Sequence, residues 1–449
     1  MHGWVGDAGP ATFVGTHALA RGWWRARVPA GAGVAPMKVC WFGTYERDYP
    51  RNRIAIDGLK RHDVEVIECH VEVWGLTRIK LADYFRGRSL VRVVARYLAA
   101  LVRLAWRHSR IADYDVMVVG FNGHLDVPLA RWLSRRRGKP LIVDPLVSVY
   151  NTLVEDKGFV AAGSRAAALL AWIERRLYAL ADVVVADTDA HAAYFRDRFS
   201  VAEHKLVTVL TGADDRVFRP RTGPRAPGPL HVLYYGKYLP LHGVRTMLEA
   251  SKRLAGGAVR FTFVGTGQFR DDVCAVYGVR EPSAIPHLRL IDWVPYEELP
   301  RLIAAADVCL GIFGGTRKAD LVLPNKAYQA FAMGKALVTG ASRAMRDELG
   351  ESGCARFVPM RDADALADAL RELARDASLR HQLGAAALRE FQSRMGLSSI
   401  GAAWADLVYD VVLARRLAPR ARRRGAARAR EGAAIRMDQA RAETIHAEA

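Results

Sequence analysis

Short apolar runs recur along the chain, each followed by a polar or glycine-bearing stretch and then by a segment of helical period. MKVCWFG (37–43), VEVIECHV (64–71), DVMVVGF (115–121), PLIVDPL (140–146), ADVVVADT (181–188) and HKLVTVL (204–210) read as strands. RNRIAIDGLKRH (51–62) and SRAAALLAWIERRLYALA (164–181) read as helices between them. The runs are continuous rather than alternating, which predicts parallel strands covered on both faces. RPRTGPRAPGP (219–229) has no period and reads as a linker. The rhythm then restarts with LHVLYYG (230–236), VRFTFVGTG (259–267), HLRLIDWV (287–294), DVCLGIF (307–313), KALVTG (335–340) and ARFVPM (355–360). Helices are expected at 243–255, 297–306, 326–333 and 363–393. The pattern predicts two Rossmann-like α/β domains, 37–218 and 230–395. They would face each other across a cleft at the carboxyl ends of both sheets, where ligands bind.

Charge adds a partner. The 449 residues carry a formal net charge of +19, which suits nucleic acid, acidic lipid or a phosphorylated small molecule. Much of the arginine sits in two places. One is RRLAPRARRRGAARAR (415–430), leading into a basic tail, 418–449, expected to be disordered or frayed. The other is 79–110, IKLADYFRGRSLVRVVARYLAALVRLAWRHSR. There, apolar residues at helical spacing alternate with Arg86, Arg88, Arg92, Arg96, Arg103, Arg107 and Arg110. That pattern fits a helix lying on an anionic membrane surface, or one packed on its domain with arginines in solvent.

The five cysteines are scattered and mostly within apolar runs, which suggests buried thiols in a reducing, cytoplasmic compartment. No Cys/His cluster has metal spacing. No run of eighteen apolar residues suggests a spanning helix. Residues 1–36 lack the apolar core of a signal peptide. They read as an unstructured extension, with Met37 a candidate start. No RRM, KH, helix-turn-helix or zinc motif supports specific nucleic-acid binding, although the basic surface leaves a non-specific alternative.

Candidate chemistry gathers at the ends of the expected strands. In YYGKYLPLHGV, Lys237 and His242 precede a helix whose N-terminus could share a phosphate with them. FVGTGQ places Gly265 and Gly267 where a backbone could approach a ligand. The loop FGTYERDYPRN offers Gly43, Tyr45, Arg47, Arg51 and Asn52 to a sugar or phosphate, or to solvent. FNGHLD and VDPLV put His124 and Asp144 at neighbouring strand ends, where a histidine could serve as a base. LPNKAYQAFAMG sets Asn325 and Lys326 at a helix start that an acidic residue would ordinarily occupy, with Gln329 on the same face. A cation at that position is explained most simply by a bound anion.

These segments resemble the group 1, family-four retaining glycosyltransferases of GT-B fold. The resemblance spans about 37–415 and is strongest in YYGKYLPLHGV, FVGTGQ, IDWVPYEELPRLIAAADVCLGIF and LPNKAYQAFAMGKALVTG. It implies a nucleotide-sugar donor held by the second domain and transfer with retention to a glycan or lipid-linked acceptor. It further implies a crossing helix, 396–417, returning to the first domain. Lys237 and His242 match the family's diphosphate-binding pair, and Gln329 matches the second of two glutamates seven residues apart. Leu321 stands where the first glutamate would be. Gly43 matches a glycine loop near the transferred sugar, and Asp144 falls near the family's catalytic-site histidine. No cofactor beyond the donor and no metal is expected, with a location at the inner face of the plasma membrane. The alternatives are a degenerate GT-B binding protein and a sugar-nucleotide epimerase.

Overall fold

The computed structural model describes residues 36–73, 88–221 and 228–417. The expected extension up to residue 35, the middle of the linker and the basic tail lie outside the described residues, as does 74–87.

Two six-stranded sheets, all of whose strand pairs are parallel, form the two domains. The first holds β1 (Lys38–Gly43), β2 (Glu65–His70), β3 (Val116–Val119), β4 (Leu141–Val143), β5 (Val183–Ala186) and β6 (Leu206–Thr208), in the order β2-β1-β3-β4-β5-β6. Its helices are α1 (Pro50–Lys60), α2 (Arg88–Ser109), α3 (Val127–Arg136), α4 (Arg165–Leu180) and α5 (Asp189–Phe199). Every residue of β3 is buried, because helices cover both faces. Caps set the helix starts: Ser164 accepts from the Ala167 amide and Thr188 from the His191 amide, each at 3.1 Å.

The second domain holds β7 (Leu230–Tyr235), β8 (Val259–Val264), β9 (Leu288–Ile291), β10 (Val308–Leu310), β11 (Ala336–Gly340) and β12 (Arg356–Val358), ordered β12-β11-β10-β7-β8-β9. Around it lie α6 (Val244–Arg253), α7 (Asp272–Tyr277), α8 (Leu299–Ala305), α9 (Asn325–Ala332), α10 (Arg343–Leu349), α11 (Ala363–Arg375) and α12 (Ala377–Arg394). Sequence periodicity missed α7 and α10, which span fewer than two helical turns. The single helix expected over 363–393 breaks at Asp376, whose carboxylate accepts from the Leu379 amide at 2.8 Å and starts α12.

A last helix, α13 (397–417), returns to the first domain. Trp404 meets Trp41 edge-on at 5.4 Å. Gly401 lies so close to Gly58 that a Cβ would sit 2.3 Å from the Gly58 carbonyl. This contact joins α13 to the first sheet on the face opposite α2–α5.

Both sheets reverse strand order next to their first strand, at β1/β3 and at β7/β10. The loops leaving these strands open a crevice at the carboxyl edge. The two edges face each other, and contacts run across: Lys318 donates to Thr152 Oγ1 at 2.9 Å and Thr316 to Asp156 at 3.1 Å.

Candidate active site in the interdomain cleft

Helix α9 begins at the cleft with Pro324 as its N-cap, no side-chain cap and no acid in its first turn. Its N-terminal amides therefore present positive partial charge without a partner side chain. Lys326 adds a full charge at the same end. It is 5% exposed, and among the described residues its ammonium has no hydrogen-bond partner. Nζ lies 4.3 Å from the Tyr234 ring centroid, and burial lowers its pKa to about 7. A buried cation without a counter-ion is costly, a cost that an anion arriving at this end of the helix would offset.

Gly236 makes room for this lysine. It has φ +139°, and a Cβ there would approach Nζ to 3.3 Å. Gly265 lies behind it, its absent Cβ only 2.0 Å from the Gly236 carbonyl, and Gly267 packs in the same way on Tyr238. These two glycines hold the β7 and β8 loops together.

His242 stacks in beside them. Its Nδ1 meets the Tyr234 hydroxyl at 2.9 Å and the Lys237 carbonyl. Burial and then Lys326 push its pKa well below normal, so the ring is neutral rather than the cation that the basic-pair reading of Lys237 and His242 implies. Lys237 is exposed at the rim. Two groups of the first domain feel its charge: Glu46, whose pKa burial raises and Lys237 lowers, and Lys157, lowered by burial and then by Lys237. Lys318 is also lowered by burial, with Asp156 opposing. Asn325 faces the Tyr49 hydroxyl across the cleft and opposes the rise that burial gives its pKa, and Gln329 acts in the same way on Tyr296.

The first-domain rim differs from the sequence expectation at Tyr45, Arg51 and Asp144. Asp144 is 0% exposed, and both its oxygens pair with Arg51 at 2.8 and 3.0 Å. Arg51 also donates to the Val209 carbonyl, so this pair fastens α1 to the sheet and offers nothing to a ligand. Tyr45 turns inward, donates to Glu68 at 3.1 Å and packs on His70. Gly43, at φ +130°, is pressed against Asp126. Asp126 accepts from the Thr44 amide and hydroxyl and from Tyr97, and burial raises its pKa to about 6. His124 is buried after β3 and donates through Nε2 to the Val147 carbonyl at 3.0 Å; burial lowers its pKa. Leu321 is buried against first-domain residues, its carbonyl accepting from Thr188.

The structure thus gathers Lys237, His242, Lys318, Asn325, Lys326, Gln329 and the three glycine-bearing loops, and excludes Tyr45, Arg51 and Asp144. It adds Glu46, Tyr49 and Lys157. The signal for Glu46 was its place in the loop already singled out, but nothing local told which of its residues faced outward.

The fold is shared with solved structures of other proteins. A sucrose-phosphate synthase from Thermosynechococcus elongatus matches with TM-score 0.61 and 16% identity over 85% of this chain and 100% of that one. Anabaena HepE in complex with UDP-glucose matches with 0.59 and 13% over 83% and 100%. An E. coli trehalose-6-phosphate structure bound with UDP-2-fluoro glucose matches with 0.57 and 13% over 84% and 98%. A comparison with curated proteins finds no match. The family Glycosyl transferases group 1 matches residues 229–376, and the Glycosyl transferase 4-like domain matches residues 12–212. The chain belongs to the group 1 glycosyltransferases. In this glycosyltransferase the first family thus covers β7 to α11, with the lysine-lined edge, and the second covers the facing rim. Among the described residues no cluster of three or more His, Cys, Asp or Glu could hold a metal ion.

Proposed function

We propose that this glycosyltransferase takes a sugar from a nucleoside diphosphate donor and passes it, with retention at the anomeric carbon, to a hydroxyl of a glycan or lipid-linked acceptor. The unpartnered Lys326 ammonium carries the reading. A diphosphate is the ligand whose charge and oxygens match one buried cation, a helix N-terminus and a second lysine at the rim. That the Anabaena and E. coli structures hold UDP-glucose and UDP-2-fluoro glucose supports a nucleotide-sugar donor here.

In this proposal Lys326 and the first amides of α9 hold the phosphate next to the sugar, and Lys237 closes on it from the β7 loop. As the glycosidic bond breaks, negative charge grows on the leaving diphosphate. Preorganised donors in a site shielded from water stabilise that charge by roughly 10²–10³-fold in rate for each donor. Binding also restores the ammonium form of Lys326 and draws His242 back towards its usual pKa. The lysines supply the charge compensation that a divalent ion gives other transferases, so activity is expected to survive chelators. The acceptor proton passes to the departing phosphate or to His124, whose Nε2 hydrogen is spent on Val147 and whose Nδ1 is left to accept. Leu321 offers the sugar no hydrogen bond, so Gln329 and backbone amides take that role.

A thermal-shift panel of UDP-, GDP-, ADP- and dTDP-sugars tests this. One nucleotide class is expected to raise Tm, with Lys237→Ala and Lys326→Ala blunting the rise. No response to any donor would overturn the transferase reading in favour of a degenerate binding protein. Turnover of a donor without acceptor would favour an epimerase.

A further inference from the structure

Helices α2, α3 and α4 lie side by side, α3 packing on both neighbours. Each carries one exposed tryptophan with an arginine four residues later stacked on it. Arg110 lies 3.5 Å from the Trp106 ring centroid, Arg136 3.9 Å from Trp132 and Arg176 5.4 Å from Trp172. The tryptophans remain about half exposed, at 54%, 48% and 54%. The same Trp-x-x-x-Arg pair thus recurs on three adjacent helices.

Helix α2 has a second apolar face. Ala100, Leu104 and His108 are buried against the domain. At 100° per residue, Val91, Val94, Leu98, Val102 and Trp106 fall on a different stripe, and all are exposed. Arg92, Arg96, Arg103 and Arg107 border that stripe on one side. A solvated helix does not need such a stripe, since its outer positions are ordinarily polar.

The charge is one-signed. The three helices contain eleven arginines and a single acid, Glu174. Glu174 is buried and engaged by Ser148, the Val149 and Tyr150 amides and Tyr178. No carboxylate of these helices therefore faces outward. A second copy of the chain would bring arginines against arginines, which disfavours self-association through this face. Nucleic acid would accept the arginines but gain nothing from the Val91–Val102 stripe. A bilayer with anionic headgroups uses both, because tryptophan and arginine settle at headgroup depth while aliphatic side chains reach the acyl boundary.

We propose that the outer face of α2, α3 and α4 docks on an anionic lipid bilayer, its tryptophans and valine/leucine stripe entering the interface and its arginines pairing with lipid phosphates. The surface is separate from the donor lysines, and the inference stands whether or not the donor reading does. It would hold the first domain at the bilayer while the second stays in water.

Co-sedimentation of the full chain tests it, with phosphatidylcholine vesicles, with vesicles containing 30% phosphatidylglycerol, and with duplex DNA as a competitor. Binding is expected only to the anionic vesicles. Replacing Arg96, Arg103 and Arg107 by Ser is expected to weaken it on the order of a hundredfold, and Trp106, Trp132 and Trp172 by Ser roughly tenfold. The tail beyond Leu417 is common to all variants, so their differences read the helices alone. Brominated acyl chains are expected to quench the wild type, and Trp→Phe at the same three positions to remove that quenching while binding persists. Equal binding to neutral vesicles, unchanged binding of the Ser variants, or tighter binding to DNA with the Trp variant unaffected would each overturn the proposal.

Discussion

Buried charges sit on both facing edges of this molecule and have opposite surroundings. On the first domain, Arg51 and Asp144 are both fully buried and neutralise each other through two hydrogen bonds. On the second, Lys326 is almost as buried and has no hydrogen-bond partner among the described residues. The first arrangement is complete in the folded chain; in the proposed reading the second is completed by the donor's phosphate. The difference teaches that burial of a charge does not by itself mark a site. An unsatisfied buried charge at a strand's carboxyl edge does, because folding has left it at a disadvantage that a ligand can remove.

Breaking the closed pair is expected to have the largest effect. Asp144→Ala leaves the Arg51 guanidinium buried and alone, so it should cost about 3–5 kcal/mol of stability in urea unfolding. A loss of activity at full stability would instead return Asp144 to the chemistry. The open charge should behave in the reverse way. Lys326→Met keeps the volume and removes the unpaired ammonium, so Tm should hold or rise while kcat/KM falls by about 10²–10³-fold, or roughly 3–4 kcal/mol.

Proton linkage sharpens the contrast. With a folded pKa of about 7 against about 10.4 unfolded, Lys326 binds fewer protons folded than unfolded throughout that interval. Stability should therefore rise from pH 7 towards pH 10, by up to about 1.4 kcal/mol per unit from this group. Lys326→Met should lack that component of the slope in urea titrations against pH. Donor affinity should run the other way, since binding needs the ammonium: titration calorimetry above pH 7 should show proton uptake and weakening of up to about tenfold per unit. The smallest effect is expected at the cross-cleft contact. Tyr49→Phe removes the hydroxyl that faces Asn325 and should cost at most about 1 kcal/mol of stability, with KM altered more than kcat.

How much of this was legible varies with range. The strands were readable because each is a short continuous apolar run. The anomaly at LPNKAY was readable because Asn325 and Lys326 occupy the wrong end of a helix for their charge. Local sequence could not separate Tyr45 from Glu46, adjacent in one loop: Tyr45 turns to Glu68 and His70, while Glu46 faces Lys237. Nor could it tell that His242, set beside two lysines, loses its charge to burial. Arg51 and Asp144 are 93 residues apart, so their pairing is a property of the folded sheet.

The sequence alone determined the two α/β domains, the position of the cleft and the cation at the start of α9, since periodicity, strand length and capping act over a few residues. Which charges are paired, which side chains turn inward and which helix faces remain uncovered were decided by tertiary structure. Those outcomes depend on desolvation and on partners brought from distant positions, and neither is written in a local pattern.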